Sequence, residues 1–297
     1  MDLFLQQTVN AFALGGTYAL LALGLAVVFS IMGLINFAHG ELMTIAGYTL
    51  MYCGLAGISF VFAVPLALLA SMLAAVLMER IAFRPVRNSS GATMLVTSFA
   101  VAMILQVLFQ NFISVRSQAV NIPDVISGSI LIGGMVIGTN KLLAIVSTIV
   151  MLVLLDRFLS KQKYGIAMRA AAEDFAVARL MGIRANTVIA GAFAISGLLA
   201  GVAAILWVSQ RASVDPLMGF TPVLKAFIAA ILGGLGSLRG AVAGGFLLGF
   251  IEIYLAAFLP AELQEFRDPI GLGIVVLVLV MRPNGLLPAA SLKAEKV

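Results

Sequence analysis

The stretch Gly57-Ile-Ser-Phe-Val-Phe-Ala-Val-Pro-Leu-Ala-Leu-Leu-Ala-Ser-Met-Leu-Ala-Ala-Val-Leu-Met78 runs without one charged side chain and stops at Glu79-Arg80. About 20 apolar residues cross a hydrocarbon core roughly 30 Å thick, so this segment predicts a transmembrane helix. Pro65 inside it is tolerated in a membrane and predicts a bend. The rest of the chain repeats the pattern. Apolar runs near 8–31, 37–54, 92–112, 141–158, 187–208, 240–259 and 266–281 read as further spans, the last weakened by Glu265, Arg267 and Asp268 at its start. With 62% apolar and 10% charged residues in 297, a soluble fold has too little polar surface to cover itself. The fold class expected is all-α: a polytopic membrane protein of about eight transmembrane helices in one domain, residues 1–297.

Two apolar stretches do not fit a simple span. Residues 223–236 begin after Pro222 and end in Gly233-Gly234-Leu235-Gly236, which predicts a short, tilted or broken helix. Residues 124–139 carry Gly128, Gly133, Gly134 and Gly138, which predicts an interfacial or re-entrant piece. The N-terminus lacks the basic flank of a signal peptide, so the first span is expected to be retained.

The net charge of +5 is spread over short loops, which argues against a nucleic-acid patch and for a topology signal. Arg80, Arg84 and Arg87 fall in 79–91, and Arg157, Lys161, Lys163, Arg169, Arg179 and Arg184 in or beside 159–186. Arg282, Lys293 and Lys296 fall in the tail. These regions are expected in the cytoplasm, with 113–140, 209–222 and the N-terminus outside. That count closes only if 223–236 crosses or nearly crosses.

Chemistry has few residues to stand on. His39 is the single histidine and Cys53 the single cysteine, which leaves no Cys- or His-based metal set. The chain has neither a phosphate-binding G-x-x-x-x-G-K-[ST] loop nor a G-x-S-x-G elbow. No cofactor, catalytic residue or ATP site is expected in it.

Candidate functional residues are the polar groups at membrane depth. Asn36, His39 and Glu41 cluster in Gly33-Leu-Ile-Asn-Phe-Ala-His-Gly-Glu-Leu42. A buried carboxylate is costly unless paired or facing water, and His39 could relieve Glu41. Two readings stand: a gate or inter-helix kink, or a helix start with Asn36 as cap and Glu41 favouring the helix dipole. Glu252 has no local partner and either lines a cavity or pairs across helices. Lys225 is expected to snorkel to the interface. The glycine rows Gly236/Gly240/Gly244, Gly245/Gly249 and Gly197/Gly201 predict close helix contacts, within the subunit before any interface. No repeat of solenoid length is visible, and an inverted structural repeat of the transporter kind stays open.

Residues 159–186 are the informative soluble segment. Strong helix formers run from Ile166 to Met181, with Ile166, Ala170, Phe175, Ala178 and Met181 toward one side, and Gly182 is a natural stop. The product is a short cytoplasmic helix. It either lies on lipid or offers a small-residue knob to a partner.

The chain resembles the permease subunit of the branched-chain amino-acid ABC importers, the LivH type, over nearly its whole length. Asn36-Phe37-Ala38-His39-Gly40-Glu41, Arg84-Pro85-Val86-Arg87, Gly233 to Gly240 followed by Gly244, and Arg282-Pro283-Asn284-Gly285-Leu286 are similar to that family's motifs. Leu287-Pro288 departs from its usual continuation. Gly165, Arg169, Ala170, Ala171, Glu173, Ala178 and Gly182 resemble the loop that meets the ATPase. The resemblance implies an inner-membrane importer with a second, similar but different permease chain, two cytoplasmic ATPase subunits and a periplasmic binding protein, ATP being bound by the partners. Other amino acids, amides, urea or a sugar are alternative solutes, and an ion-coupled secondary transporter or a membrane-bound enzyme are rival classes.

Overall fold

A computed structural model describes residues 2–132 and 135–287. Each expected span is a helix: α1 Asp2–Met32, α2 His39–Leu55, α3 Phe60–Met78, α5 Gly91–Phe112, α7 Thr139–Lys161, α10 Ala185–Arg211, α12 Leu238–Phe258 and α13 Arg267–Met281. Among the described residues six helical segments are long and apolar enough to cross a membrane; α2 and α13, of 17 and 15 residues, are shorter. The short helix is α11, Phe220–Gly233. A π turn, Glu79–Phe83, and the turn α4, Arg84–Val86, continue α3 on the basic side.

Residues 124–139 form neither a span nor a re-entrant helix. One helical turn, α6 (Asp124–Ser127), leads into a hairpin of β2 (Ser129–Ile132) and β3 (Met135–Gly138). Gln6 Nε2 donates to the Val136 carbonyl, so the hairpin sits by the start of α1. Gly133 and Gly134 lie outside the described residues.

Contacts sort the loops into two sides. Strands β1 (Gln118–Ala119) and β4 (Ser213–Val214) pair, which joins loops 113–140 and 209–222. On the opposite side Arg87 donates to Asn186 Oδ1, joining the two basic loops. The tail reaches the same basic side: the Leu286 and Leu287 amides donate to the Leu232 and Gly233 carbonyls, satisfying the last turn of α11.

The interior holds an inverted repeat that the sequence does not display. Helix α1 packs on α12 and α11 as α10 packs on α3 and α2, and the pairs α2–α3 and α11–α12 match. Corresponding members run in opposite directions. The glycine rows serve this packing. Gly245 and Gly249 press their backbones on Ala19 and Gly15 of α1, and Gly197 and Gly201 seat on Ser71 and Leu68 of α3.

The second members of the two repeats are half-helices. His39 opens α2 against Gly24 of α1 and Ser196 of α10. Those residues lie eight and eleven positions inside their helices, about 12 and 16 Å from the basic end. The chain therefore dips through 33–38 into the bundle before α2 begins. From the other side, residues 212–219 descend past Gly47 and start α11 beside α2, where Gly40 and Gly219 touch backbone to backbone. A Cβ on either glycine would overlap the other's carbonyl. This geometry explains why α2 and α11 are short. Each starts inside the bundle.

Candidate functional site

The Asn36–Glu41 segment is the first of three polar clusters. Asn36 Oδ1 accepts from the Ala38 amide at 3.1 Å, which turns the loop ahead of α2 but does not cap it. Ala38 holds the N-cap position, and no side chain bonds the first turn. Asn36 Nδ2 faces Met78. The Phe37 amide donates to Ser98 Oγ at 3.3 Å, and its ring stacks on Phe99 at 4.3 Å and meets Phe227 edge-on. The loop is thus fastened to α5 and α11 by its own backbone and one aromatic side chain.

His39 and Glu41 do not pair, contrary to the expectation from their proximity. His39 Nδ1 meets Ser196 Oγ at 2.9 Å, and its ring fills the space left by Gly24. Glu41 Oε1 accepts from Gln106 Nε2 of α5 at 2.8 Å. Two positions apart on a helix, the two side chains point away from one another. All three residues are buried, and among the described residues His39 Nε2 and Glu41 Oε2 have no hydrogen-bond partner. Buried to this degree, the cluster braces the α2 half-helix against α1, α3, α5 and α10.

The second cluster is an ion pair. Lys225 of α11 does not snorkel: its Nζ is 2.7 Å from Glu252 Oε1 of α12 and 3.8 Å from Asp268 of α13. Tyr18 of α1 donates to Glu252 Oε2 at 2.9 Å. Both alternatives for Glu252 hold, since it pairs across helices and lines a cavity of about 240 Å³ with Tyr18, Thr221, Lys225, Gln210 and Arg211. Arg211 lies over the Trp207 ring, 4.1 Å from its centroid. The cavity mixes these charged groups with Leu14, Trp207, Ile253 and Ala256, and sits toward the side away from the basic loops, near the ends of α10 and α12.

The third cluster is the elbow between α7 and α10. A single helix was expected; the chain makes two, α8 (Lys163–Glu173) and α9 (Phe175–Leu180), broken at Asp174. Asp174 is extended, and its carboxylate caps α9 by accepting from the Ala176 and Val177 amides, both at 2.9 Å. A good N-cap residue thus interrupts a run of good helix formers. At the far end Gly182 has φ +84°, with its amide on Arg179 and that of Ile183 on Ala178. This pair of hydrogen bonds is the Schellman stop that Gly182 predicts.

Of the side on which Ile166, Ala170, Phe175, Ala178 and Met181 were expected, Ile166, Ala170 and Met181 are exposed, and only Ala178 is buried. Gly165, Met168 and Ala171 are the other buried residues of the elbow helices. Gly165 sets that rotation by packing on the Phe158 and Leu159 backbone of α7. Arg169, Ala170 and Glu173 are left outward.

Several participants gave no local signal. Tyr18, Gln106, Ser98 and Ser196 sit in apolar spans, and each finds its partner through a contact far along the chain. Glu79, fully buried, takes a bidentate pair from Arg84, both bonds 3.1 Å. Its five-residue separation across a π turn disguises the pairing.

These features define a multi-pass membrane protein built on an inverted repeat, with half-helices meeting inside the bundle and a capped elbow outside it. The profile of the family described as "Branched-chain amino acid transport system / permease component" matches residues 7–281, and the chain belongs to that family. It is 36% identical to the high-affinity branched-chain amino acid transport system permease protein BraD of Pseudomonas aeruginosa, covering 96% of this chain and 95% of that one. It is 35% identical to LivH of Escherichia coli at the same coverage. To LivM of Escherichia coli, also a permease protein of that transport system, identity is 26% over 95% of this chain and 70% of the other.

Proposed function

We propose that this chain is one of two permease subunits of an ATP-driven importer for branched-chain or similarly apolar amino acids in the cell inner membrane. Its partners in this reading are a LivM-like second permease, two cytoplasmic ATPase subunits and a periplasmic binding protein. The observation that carries it is the elbow. Gly165 seats α8 on α7, and Asp174 and the Gly182 stop cap both ends of α9, while Arg169, Ala170 and Glu173 are presented outward. A rigid, exposed element of this kind can pass a movement of a separate motor into α7 and α10.

In this reading ATP binding by the partners changes the relative stability of inward- and outward-facing states, and the elbow transmits the difference as rigid-body motion. The closer similarity to LivH and BraD than to LivM supports the assignment of this chain to the LivH-type position in a heteromeric pair. The solute follows the names of those relatives. An apolar amino acid suits a bundle whose walls are Ala, Leu, Val and Gly.

An ion-coupled carrier is less well supported. Glu252, the carboxylate best placed to bind a cation, already holds Lys225. The test is reconstitution of the chain with the companion permease, ATPases and binding protein in liposomes. Uptake of leucine, isoleucine or valine that requires ATP supports the proposal; uptake driven by an ion gradient without the ATPases refutes it.

A further inference from the structure

A groove of about 880 Å³ opens between α7, α8 and α10, behind the elbow and apart from the other two clusters. Its walls are apolar: Met151, Leu154 and Phe158 from α7, Met168 from α8, and Ile195 and Leu198 from α10. Gly191 and Ala194 set α10 back and deepen it; a Cβ on Gly191 would reach only the Met168 sulfur, at 4.0 Å. At the basic end the walls turn polar with Arg157, Lys161, Gln162 and Tyr164. Among the described residues neither Arg157 nor Lys161 has an acidic partner within ion-pair distance.

The dimensions match one leaflet. From Met151 to Lys161 the groove follows eleven residues of α7, or about 15 Å of helix, against roughly 15 Å for half the hydrocarbon core. The volume falls within the roughly 300–1,000 Å³ typical of small-molecule sites. A long apolar slot that ends, on the side of the basic loops, in two cations without an acidic partner is complementary to one chemistry. It fits an acyl chain carrying a negatively charged head.

We propose that this groove binds an anionic phospholipid of the leaflet on the basic side. Its acyl chain lies along Leu154, Phe158, Gly191 and Ile195, and its phosphate rests between Arg157 and Lys161. The occupant touches Met168 on the buried face of α8, so it supports the elbow from behind. This site is independent of which solute is carried.

The test is native mass spectrometry of the purified full-length chain titrated with palmitoyl-oleoyl phosphatidylglycerol or phosphatidylcholine. The wild type is expected to retain the glycerol lipid at least fivefold more tightly. Replacing Arg157→Gln and Lys161→Gln is expected to lose about fivefold per charge and to abolish the preference. Gly191→Leu, with both cations intact, is expected to weaken both lipids by filling the slot. Equal retention of the two lipids by the wild type overturns the site, as does unchanged preference in the double variant. So does cross-linking of Gly191→Cys to a protein subunit with neither lipid retained.

Discussion

Lys225 Nζ and Glu252 Oε1, 27 positions apart on helices α11 and α12, lie 2.7 Å from each other inside the helix bundle. Their side chains are 21% and 16% exposed, in a cavity that Tyr18 closes from α1. A charge pair held there ties a half-helix to its neighbour.

Removing one partner should cost more than removing both. Lys225→Met leaves Glu252 with only the Tyr18 hydroxyl and should destabilise the protein by about 2 kcal/mol, below the roughly 3–5 of a fully buried pair. Lys225→Met with Glu252→Gln should recover most of that loss. A double-mutant cycle on thermal unfolding in detergent checks it, and additive losses would show that the pair is not coupled.

The half-helix α2 depends on the fit of His39 against α1. Gly24→Ala would place a Cβ 2.6 Å from the imidazole Cε1, so the ring must move. Ser196→Ala keeps the space but strips Nδ1 of its partner, for about 1–3 kcal/mol. Both should lower Tm, Gly24→Ala more. Gly273→Ala on α13, where a Cβ meets nothing within 4 Å, should not lower it.

The elbow should matter for coupling more than for stability. Asp174→Ala removes the α9 cap, worth about 1 kcal/mol, whereas Asp174→Asn keeps an accepting oxygen. In the reconstituted importer Asp174→Ala should raise the ATP hydrolysed per amino acid taken up several-fold, with Asp174→Asn near wild type. Glu173→Arg and Gly182→Trp should also uncouple while leaving the chain in the membrane. Wild-type stoichiometry in all three uncoupling variants would remove the elbow from the mechanism.

The sequence displays what repeats locally or sums over a segment. Apolar runs locate the helices, Lys and Arg sort the loops, and Gly182 marks its own stop because a single residue supplies the left-handed turn. What it hides is set by partners far apart. The depth of His39 depends on Gly24 and Ser196, neither of which stands out in an apolar span. Lys225 reads as a snorkelling lysine until α12 brings Glu252 alongside. Asp174 looks like one more charge on a helical run, because capping and helix continuation compete there by about 1 kcal/mol. The hairpin at 129–138 escaped because glycine-rich apolar segments fit several structures equally well. The roles of Arg169, Ala170 and Glu173 rest on resemblance, since geometry gives only their exposure.

Sidedness of the elbow is the claim on which the transport reading turns. Cys53→Ser gives a cysteine-free chain, and Ala172→Cys then places one thiol on the exposed face of α8. A membrane-impermeant maleimide applied to spheroplasts and to inside-out vesicles reads its side directly. The account predicts labelling only in inside-out vesicles and protection when the ATPase subunits are bound. Labelling of intact spheroplasts would contradict it.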